Sequence, residues 1–455
     1  MHSARIYLRL TDPGKAMLTP AYRRYALVAL TAVYTLNFVD RYLMVLLLQP
    51  IKEDLHLSDT QIGLLTGIAF GLFYATLGVP IARWADRGNR ATITSLAIGL
   101  WGVTVMGCLF VTSFVQLMCA RMAAAVGESG CKPPTYSLLG DYFPEPAQRT
   151  RAMAIYVSGS SLSALVSLIG GGWLNELHGW RITFFLMGIP GLILAVLIKL
   201  TITEPRAQMR GTHVREQPFP NMRAVLTTLW CQRSCRHLSI ALILIYTMAL
   251  GLSPWYAAFM MRSHGMGTRE LGVWLGLIFS LGGIAGVLIG GYVSSRWFAN
   301  DERGQMRLSA VTVAALVPCF VAFLTLPGKY PALIALIPLI MALSLYLGPT
   351  YALMQRLVPD AMRATTMAVV MLLANLIGMG IGPLVVGILS DSLMPALGSD
   401  SLRYAMLVMS FLALWAGYHF WQVGWTVRED LSAISHCLQT RTDAPDRALI
   451  EAVSR

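Results

Sequence analysis

The sequence predicts an all-α membrane protein of twelve transmembrane helices in two pseudo-symmetric six-helix halves. Three observations predict it. Apolar runs long enough to cross a bilayer recur along the chain, Lys and Arg gather in alternate loops, and a stretch of the first half returns in the second. Of the 455 residues, 56% are hydrophobic and only 13% are charged. Soluble domains carry about 25% charged residues. The deficit implies surface that never meets water, where an ionised side chain costs about 2.5–3.5 kcal/mol even on a lenient scale.

A helix needs about 20 apolar residues to cross the hydrocarbon. Such runs lie at 25–50, 62–82, 91–112, 114–140, 148–175 and 180–202, and again at 238–261, 270–295, 307–326, 331–355, 363–390 and 402–425. They are called spans 1 to 12 below. The longer ones must tilt or protrude.

The loops give the orientation. Arg5, Arg9, Lys15, Arg23 and Arg24 precede span 1. Arg83, Arg87 and Arg90 lie between spans 2 and 3, and Arg149 and Arg151 at the start of span 5. Arg206, Arg210, Arg215, Arg223, Arg233 and Arg236 lie between spans 6 and 7, and Arg296, Arg303 and Arg307 follow span 8. The alternate loops are poor in both residues. The bias places both termini and the central loop in the cytoplasm. The expected organisation is a six-helix bundle over 1–202, a cytoplasmic linker over 203–237, a second bundle over 238–425 and a polar cytoplasmic tail over 426–455.

Several classes are disfavoured. The net charge of +12 is dispersed between apolar runs, which is a topology signal rather than a nucleic-acid-binding stripe. Cys108, Cys119, Cys131, Cys231, Cys235, Cys319 and Cys437 are scattered, and Cys231 and Cys235 lack a matching ligand pair, so neither a metal site nor a disulfide framework is expected. No catalytic Ser/His/Asp set or phosphate loop is found, so the chain is not read as an enzyme and no cofactor is expected. The polar, basic N-terminus and the length of the first apolar run do not fit a signal peptide.

The loop after span 2 reads Ala82-Arg83-Trp84-Ala85-Asp86-Arg87-Gly88-Asn89-Arg90. It resembles the signature loop of the major facilitator superfamily. There Asp86 would sit against the positive N-terminal end of a facing helix near Ala361, while Arg87 and Arg90 pair with carboxylates at the inner rim. Such contacts form a cytoplasmic gate. The corresponding stretch of the second half, Gly291 to Arg296, has lost the acid, so the gate is expected to be asymmetric.

The internal repeat agrees with that resemblance. Phe143-Pro144-Glu145, Arg149 and Met153-Ala154 lead into span 5, and Val358-Pro359-Asp360, Arg363 and Met367-Ala368 lead into span 11. Two parallel halves related by an axis along the membrane normal are the arrangement of the major facilitator fold.

Ionisable groups inside spans are functional hypotheses by default. Span 1 carries Asn37, Asp40 and Arg41, and span 4 carries Arg121, Glu128 and Lys132. Glu128 lies about 21 Å into its helix at 1.5 Å per residue. Asp40 and Arg41 point about 100° apart and cannot pair simply with each other, so Arg41 is expected to pair with Glu128. Desolvation favours a neutral carboxyl and a nearby Arg favours a charged one, a balance that suits proton coupling. A permanent ion-pair network holding the helices together is the structural alternative. The second half offers Tyr246, Tyr346, Tyr351 and Asn375 among apolar residues. A cavity charged on one wall and apolar on the other suits an amphipathic molecule.

Span 1's Leu36-Asn37-Phe38-Val39-Asp40-Arg41 is similar to the signature of Spinster-like transporters, of bacterial type. So are Leu64-Leu65-Thr66-Gly67 with Phe73-Tyr74, the gate loop with its Asn89, Val126-Gly127-Glu128-Ser129 with Pro133-Pro134, and Asn375 to Asp391. The resemblance implies a secondary transporter that moves lysophospholipids or sphingoid-like lipids by alternating access with proton coupling, as a monomer in the bacterial inner membrane. It implies Asp40, Arg41 and Glu128 as the central polar site, with Arg121 and Lys132 beside them. Ala125 stands where a Gly is usual, and Lys132 adds a charge that favours an anionic head group. Transport of small organic anions or drugs is the alternative in the same class. A non-transporting membrane sensor or scaffold is the alternative in another, and an intact gate loop speaks against it.

Overall fold

The computed structural model describes residues 19–205, 222–298, 301–359 and 362–453, and of residues 79, 82, 86, 224, 364 and 434–453 the backbone alone. Most of the expected linker, and Ala361, lie outside the described residues. The described residues form helices and no strand.

Helix starts follow local chemistry. Helix α1 (Pro20–Asn37) opens with proline at its first position and the Thr19 side chain accepting from Tyr22 N at 3.3 Å. A turn at Phe38 separates it from α2 (Val39–Asp54). Helix α3 (Asp59–Thr66) has a capping box in which Ser58 and Gln61 satisfy each other's backbone N–H groups. Gly67, at φ −95° and ψ −104°, divides α3 from α4 (Ile68–Arg87). Asn89 caps α5 (Arg90–Gly107), and Ser113 caps α6 (Phe114–Ser129). Tight bonds from Gly130 N to Gly127 O (3.3 Å) and Cys131 N to Glu128 O (3.2 Å) close α6 before α7 (Lys132–Tyr142) begins. Helix α8 (Pro146–Leu165) passes through a π-helical stretch, Val166–Gly170, into α9 (Gly171–Thr201).

Beyond the linker come α10 (Met222–Cys231), α11 (Arg233–Leu252), α12 (Trp255–His264) and α13 (Thr268–Leu277). They are followed by α14 (Gly283–Trp297), α15 (Glu302–Ala314), α16 (Leu316–Thr325), α17 (Lys329–Leu345) and α18 (Leu347–Arg356). The last are α19 (Arg363–Leu397), α20 (Ser401–Ser410) and α21 (Leu412–Val453), so helix continues through most of the expected tail.

Nine runs among the described residues are long and apolar enough to cross a membrane. Pro146–Thr201 covers expected spans 5 and 6, and Thr365–Ala433 covers spans 11 and 12. Expected span 4 is divided at Gly130–Cys131 into α6 and α7 and is too short in either piece to count alone.

The chain falls into two compact units. The first holds Met1–Glu216, Leu250–Leu281 and Met379–Met406, and the second Gln217–Ala249, Gly282–Gly378 and Leu407–Arg455. In the first unit α5 packs along α9 and α6, α8 along α1, and α12 along α2. In the second, α15 packs along α21 and α17 along α14 and α16.

Around a largely apolar core, burial departs from that of a soluble protein in two ways. Asp40, Asp59, Arg90, Arg121 and Glu128 are buried, while Val28, Val103, Phe110, Leu200 and Leu288 are each more than half exposed. An apolar outer surface over buried charge is what lipid solvent requires.

Gly179 turns the chain within Pro146–Thr201, between expected spans 5 and 6. Its φ of 80° and ψ of 169° occupy a region open essentially to glycine alone, and a Cβ there would meet nothing. Gly179→Ala is therefore expected to destabilise by about 1–3 kcal/mol through backbone strain alone. It should lower the midpoint of thermal unfolding in detergent, and an unchanged midpoint would contradict the assignment.

Candidate functional site: paired charges in the first unit

Both helices that carry the intramembrane charges are interrupted beside them. The turn at Phe38 puts Asp40 in the first turn of α2, and the tight bonds at Gly130–Cys131 put Glu128 in the last turn of α6. An interrupted helix leaves backbone polar groups to be satisfied locally. Asn37 Nδ2 donates to the Glu128 carbonyl oxygen at 3.1 Å and ties the two breaks together.

Two ion pairs cross between these helices. Arg41 pairs with Glu128, whose side chain is wholly buried. Arg121 donates to Asp40 at 2.5 Å, with both groups at most 5% exposed. Arg121 and Glu128 stand seven residues apart on α6. The structure gives each a partner from α2, so adjacent Asp40 and Arg41 reach opposite partners along α6.

Aromatic rings enclose the cations. The Arg41 guanidinium lies over Phe70 and Tyr74 at 4.7 Å each and Phe38 at 5.2 Å, and that of Arg121 over Phe70 at 4.8 Å. Lys132 Nζ donates to the Tyr74 hydroxyl at 2.9 Å and lies 4.3 Å from the Phe38 ring centre. Among the described residues Asp40 Oδ1, Glu128 Oε2 and Arg121 Nε have no hydrogen-bond partner. The cluster therefore keeps hydrogen-bonding capacity in reserve.

The gate-loop residues separate. Arg90 is fully buried and donates to Asp141 at 2.6 Å, to Ser137 Oγ at 2.8 Å and, from Nε, to Glu204 at 3.0 Å. Its own backbone N–H also donates to Glu204 at 2.7 Å. It thus clamps α5 to α7 and to the chain leaving α9, within the first unit. Arg87 is exposed, and the Asp86 side chain lies outside the described residues.

In the second unit Tyr246 and Tyr351 share a hydrogen bond of 2.5 Å. Tyr346 is buried against Phe420, and Asn375 donates to Met371 O on its own helix at 2.7 Å.

At the end of the first unit where α2 finishes, a second cluster escapes sequence reading. Buried Asp59 accepts from Lys52 at 2.5 Å, from Arg262 at 2.7 and 2.8 Å, and from Ser390 at 2.6 Å. Asp391 accepts from the Asp59 and Thr60 N–H groups at 3.0 and 2.7 Å. Ser58 Oγ takes the next N–H, from Gln61, so the α3 N-terminus is satisfied largely by a carboxylate on α19. This clasp requires close approach. A Cβ on Gly63 would come within 2.5 Å of Pro383 O, and one on Gly387 would overlap the Asp59 carbonyl. The available signals were Arg262, which shares with Arg269 a short loop expected on the basic-poor side, and the acid closing Gly387–Asp391.

Removing one partner of a buried ion pair strands the other charge, whereas replacing both with apolar groups does not. Arg121→Leu and Asp40→Leu are each expected to cost about 3–5 kcal/mol. The double variant should unfold in detergent closer to wild type than either single one does. A double variant as damaged as the sum of the two would show that the pair is not the stabilising unit.

The profile of the Major Facilitator Superfamily matches residues 30–383. An MFS-type efflux pump of Mycolicibacterium smegmatis is 32% identical over 90% of this chain and 94% of its own length. A hexuronate transporter of Bacillus subtilis is 25% identical over 83% of this chain and 90% of its own. A crystal structure of a bacterial homologue of the human lysosomal transporter Spinster, in an inward-facing and unoccupied conformation, superimposes with a TM-score of 0.80. That structure is 28% identical and covers 90% of this chain and 99% of its own. The apolar exterior, the buried charges and these likenesses lead to one conclusion: the chain belongs to the Major Facilitator Superfamily as a Spinster-like membrane transporter, and it is not an enzyme.

Proposed function

We propose that the chain is a proton-coupled secondary transporter that moves a lysophospholipid or sphingoid-like amphiphile by alternating access. The observation that carries this reading is the pair of buried ion pairs, Arg41–Glu128 and Asp40–Arg121, set among aromatic rings on interrupted helices. Four ionised groups are a costly way to hold two helices together. They are a useful way to couple a proton to a conformational change. A proton on Glu128 or Asp40 removes the counter-charge of an arginine, which must then find the substrate or a new partner, and the balance of states shifts.

The chain is read as twelve transmembrane helices in two six-helix halves, with both termini cytoplasmic, acting as a monomer in the bacterial inner membrane. The Asp59 clasp then lies on the outer face. It holds the second-half segments that carry Arg262, Ser390 and Asp391 to the ends of α2 and α3. Likeness to an inward-facing Spinster homologue supports reading this as the state closed to the outside. Opening outward requires Asp59 to release Arg262, and Asp391 to release the α3 N-terminus. Asp86 and Arg87 would then latch the opposite face.

Likeness to a hexuronate transporter, together with three cations against two carboxylates at the site, favours a second reading as a transporter of small organic anions. Proteoliposomes decide between them. Labelled lysophospholipid should move faster under an imposed pH gradient, and Glu128→Gln should abolish that response. Movement of glucuronate but not of lysolipid would transfer the proposal to organic anions. Movement of neither would sink both.

The clasp has its own test. Spin labels at Glu53 and Ser392, with Arg262→Gln or Asp391→Asn, should show a longer interlabel distance in a larger fraction of molecules. A gain of about tenfold corresponds to about 1.4 kcal/mol lost from the closed state. An unchanged distance distribution in both variants would exclude the clasp as a determinant of state.

A further inference from the structure

The charges of the site do not cancel. Arg41 is neutralised by Glu128 and Arg121 by Asp40. Lys132, on the next turn of chain, makes no ion pair among the described residues, so the cluster carries one net positive charge. Inside a membrane protein such a charge calls for a counter-ion.

The surroundings of Lys132 restrict what that counter-ion can be. Its ammonium donates to the Tyr74 hydroxyl at 2.9 Å and faces the rings of Phe38, Tyr74 and Tyr34 at 4.3, 5.2 and 5.7 Å. An aromatic box of this kind commonly receives a ligand's ammonium group. Here the protein's own cation fills it, so a second cation would be repelled. Lys132 is only part-buried and Tyr136, four residues along α7, is 40% exposed. The position is therefore open to a ligand and has the Tyr74 hydroxyl beside the ammonium.

We propose that Lys132 is the anchor for an anionic group, a carboxylate or a phosphate monoester, with Tyr74 as its neighbouring hydroxyl donor. The substrate is then an acidic amphiphile or an organic acid, and a sphingoid base, whose head is an amine, is disfavoured. This rests on the transport reading above and narrows its substrate class. In this state the two carboxylates of the cluster satisfy its arginines, and the fifth charge is met by the cargo. An ammonium-to-anion contact is among the stronger hydrogen bonds.

The test is direct binding to the purified full chain in detergent, with oleoyl lysophosphatidate, glucuronate and sphingosine as probes. Lys132→Gln should weaken binding of an anionic probe about tenfold or more. Lys132→Arg should restore most of it, and Tyr74→Phe should weaken it less. Tight binding of lysophosphatidate alone would identify the anion as a lipid head group, and tight binding of glucuronate would identify it as a free acid. Equal affinity of wild type and Lys132→Gln for the anionic probes would overturn the proposal. So would tighter binding of sphingosine than of either anion, or failure of both anions to bind wild type. The same probes in proteoliposomes keep the two claims apart. An anion that binds through Lys132 but is not moved refutes transport and leaves the site. An anion that is moved equally by wild type and Lys132→Gln refutes the site and leaves transport.

Discussion

A charge inside hydrocarbon must have a partner, and much of the first unit is arranged to meet that requirement. Asp40, Arg41, Arg121 and Glu128 cannot be left to water, so α2 and α6 must lie side by side with their charges in register. Adjacent residues on one helix point to different sides, so Asp40 and Arg41 require two partners separated along α6, which Arg121 and Glu128 supply. The interruptions at Phe38 and at Gly130–Cys131 fall beside these groups, where Asn37 adds a hydrogen bond to the Glu128 carbonyl beside the one from Cys131 N. Phe38, Phe70 and Tyr74 then line the cations, and a cation–π contact gains from about 0.5–1 kcal/mol when exposed to about 2 kcal/mol when desolvated.

The same logic operates at the end of the unit with different parts. The Asp59 carboxylate is buried and faces two cations, Lys52 and Arg262, while Asp391 faces backbone N–H groups rather than a side-chain cation. A helix N-terminus carries roughly half a positive charge, so Asp391 is compensated without a third base. Glycine and proline at Gly63, Pro383 and Gly387 let α3 and α19 come close enough for these contacts. The packing of small residues and the closing of charge are thus one feature.

What was legible in the sequence follows from which interactions are local. Helices were legible as apolar runs, but the first two start earlier than those runs, at Pro20 and Asp59, because proline at Pro20 and the Ser58–Gln61 cap lie in polar residues before them. The pairing of Arg41 with Glu128 was legible because both stand in apolar runs that tolerate few unpaired charges. Asp40 with Arg121 was not, because choosing between two acids and two bases needs the crossing geometry of α2 on α6. The clasp was less legible still. Asp59 and Arg262 lie outside every motif read from the sequence, Asp391 only closes the segment from Asn375 that resembles Spinster-like transporters, and only tertiary packing brings the three together. Arg90 was expected at a rim in a contact that opens and closes. Its full burial against Asp141 and Glu204 gives it a structural hold within the unit.

One element passes all three polar stations. The run from Asp59 to Arg87, bent at Gly67, begins in the clasp, presents Phe70 and Tyr74 to Arg41, Arg121 and Lys132 at its middle, and ends in the gate loop. Phe70 and Tyr74 are stacked on each other, with ring centres 5.7 Å apart and planes inclined by 18°, so a shift of one carries the other. A helix transmits displacement along its axis because its backbone bonds are internal and stiff. Under the transport reading, any movement of Arg41 as Glu128 gains or loses its charge is therefore felt first by this run, and through it at both ends. The weak point of that coupling is Gly67, whose non-helical backbone can absorb a change of angle. Under that reading, a bend placed between the clasp and the charged centre would let the two respond in sequence rather than rigidly together.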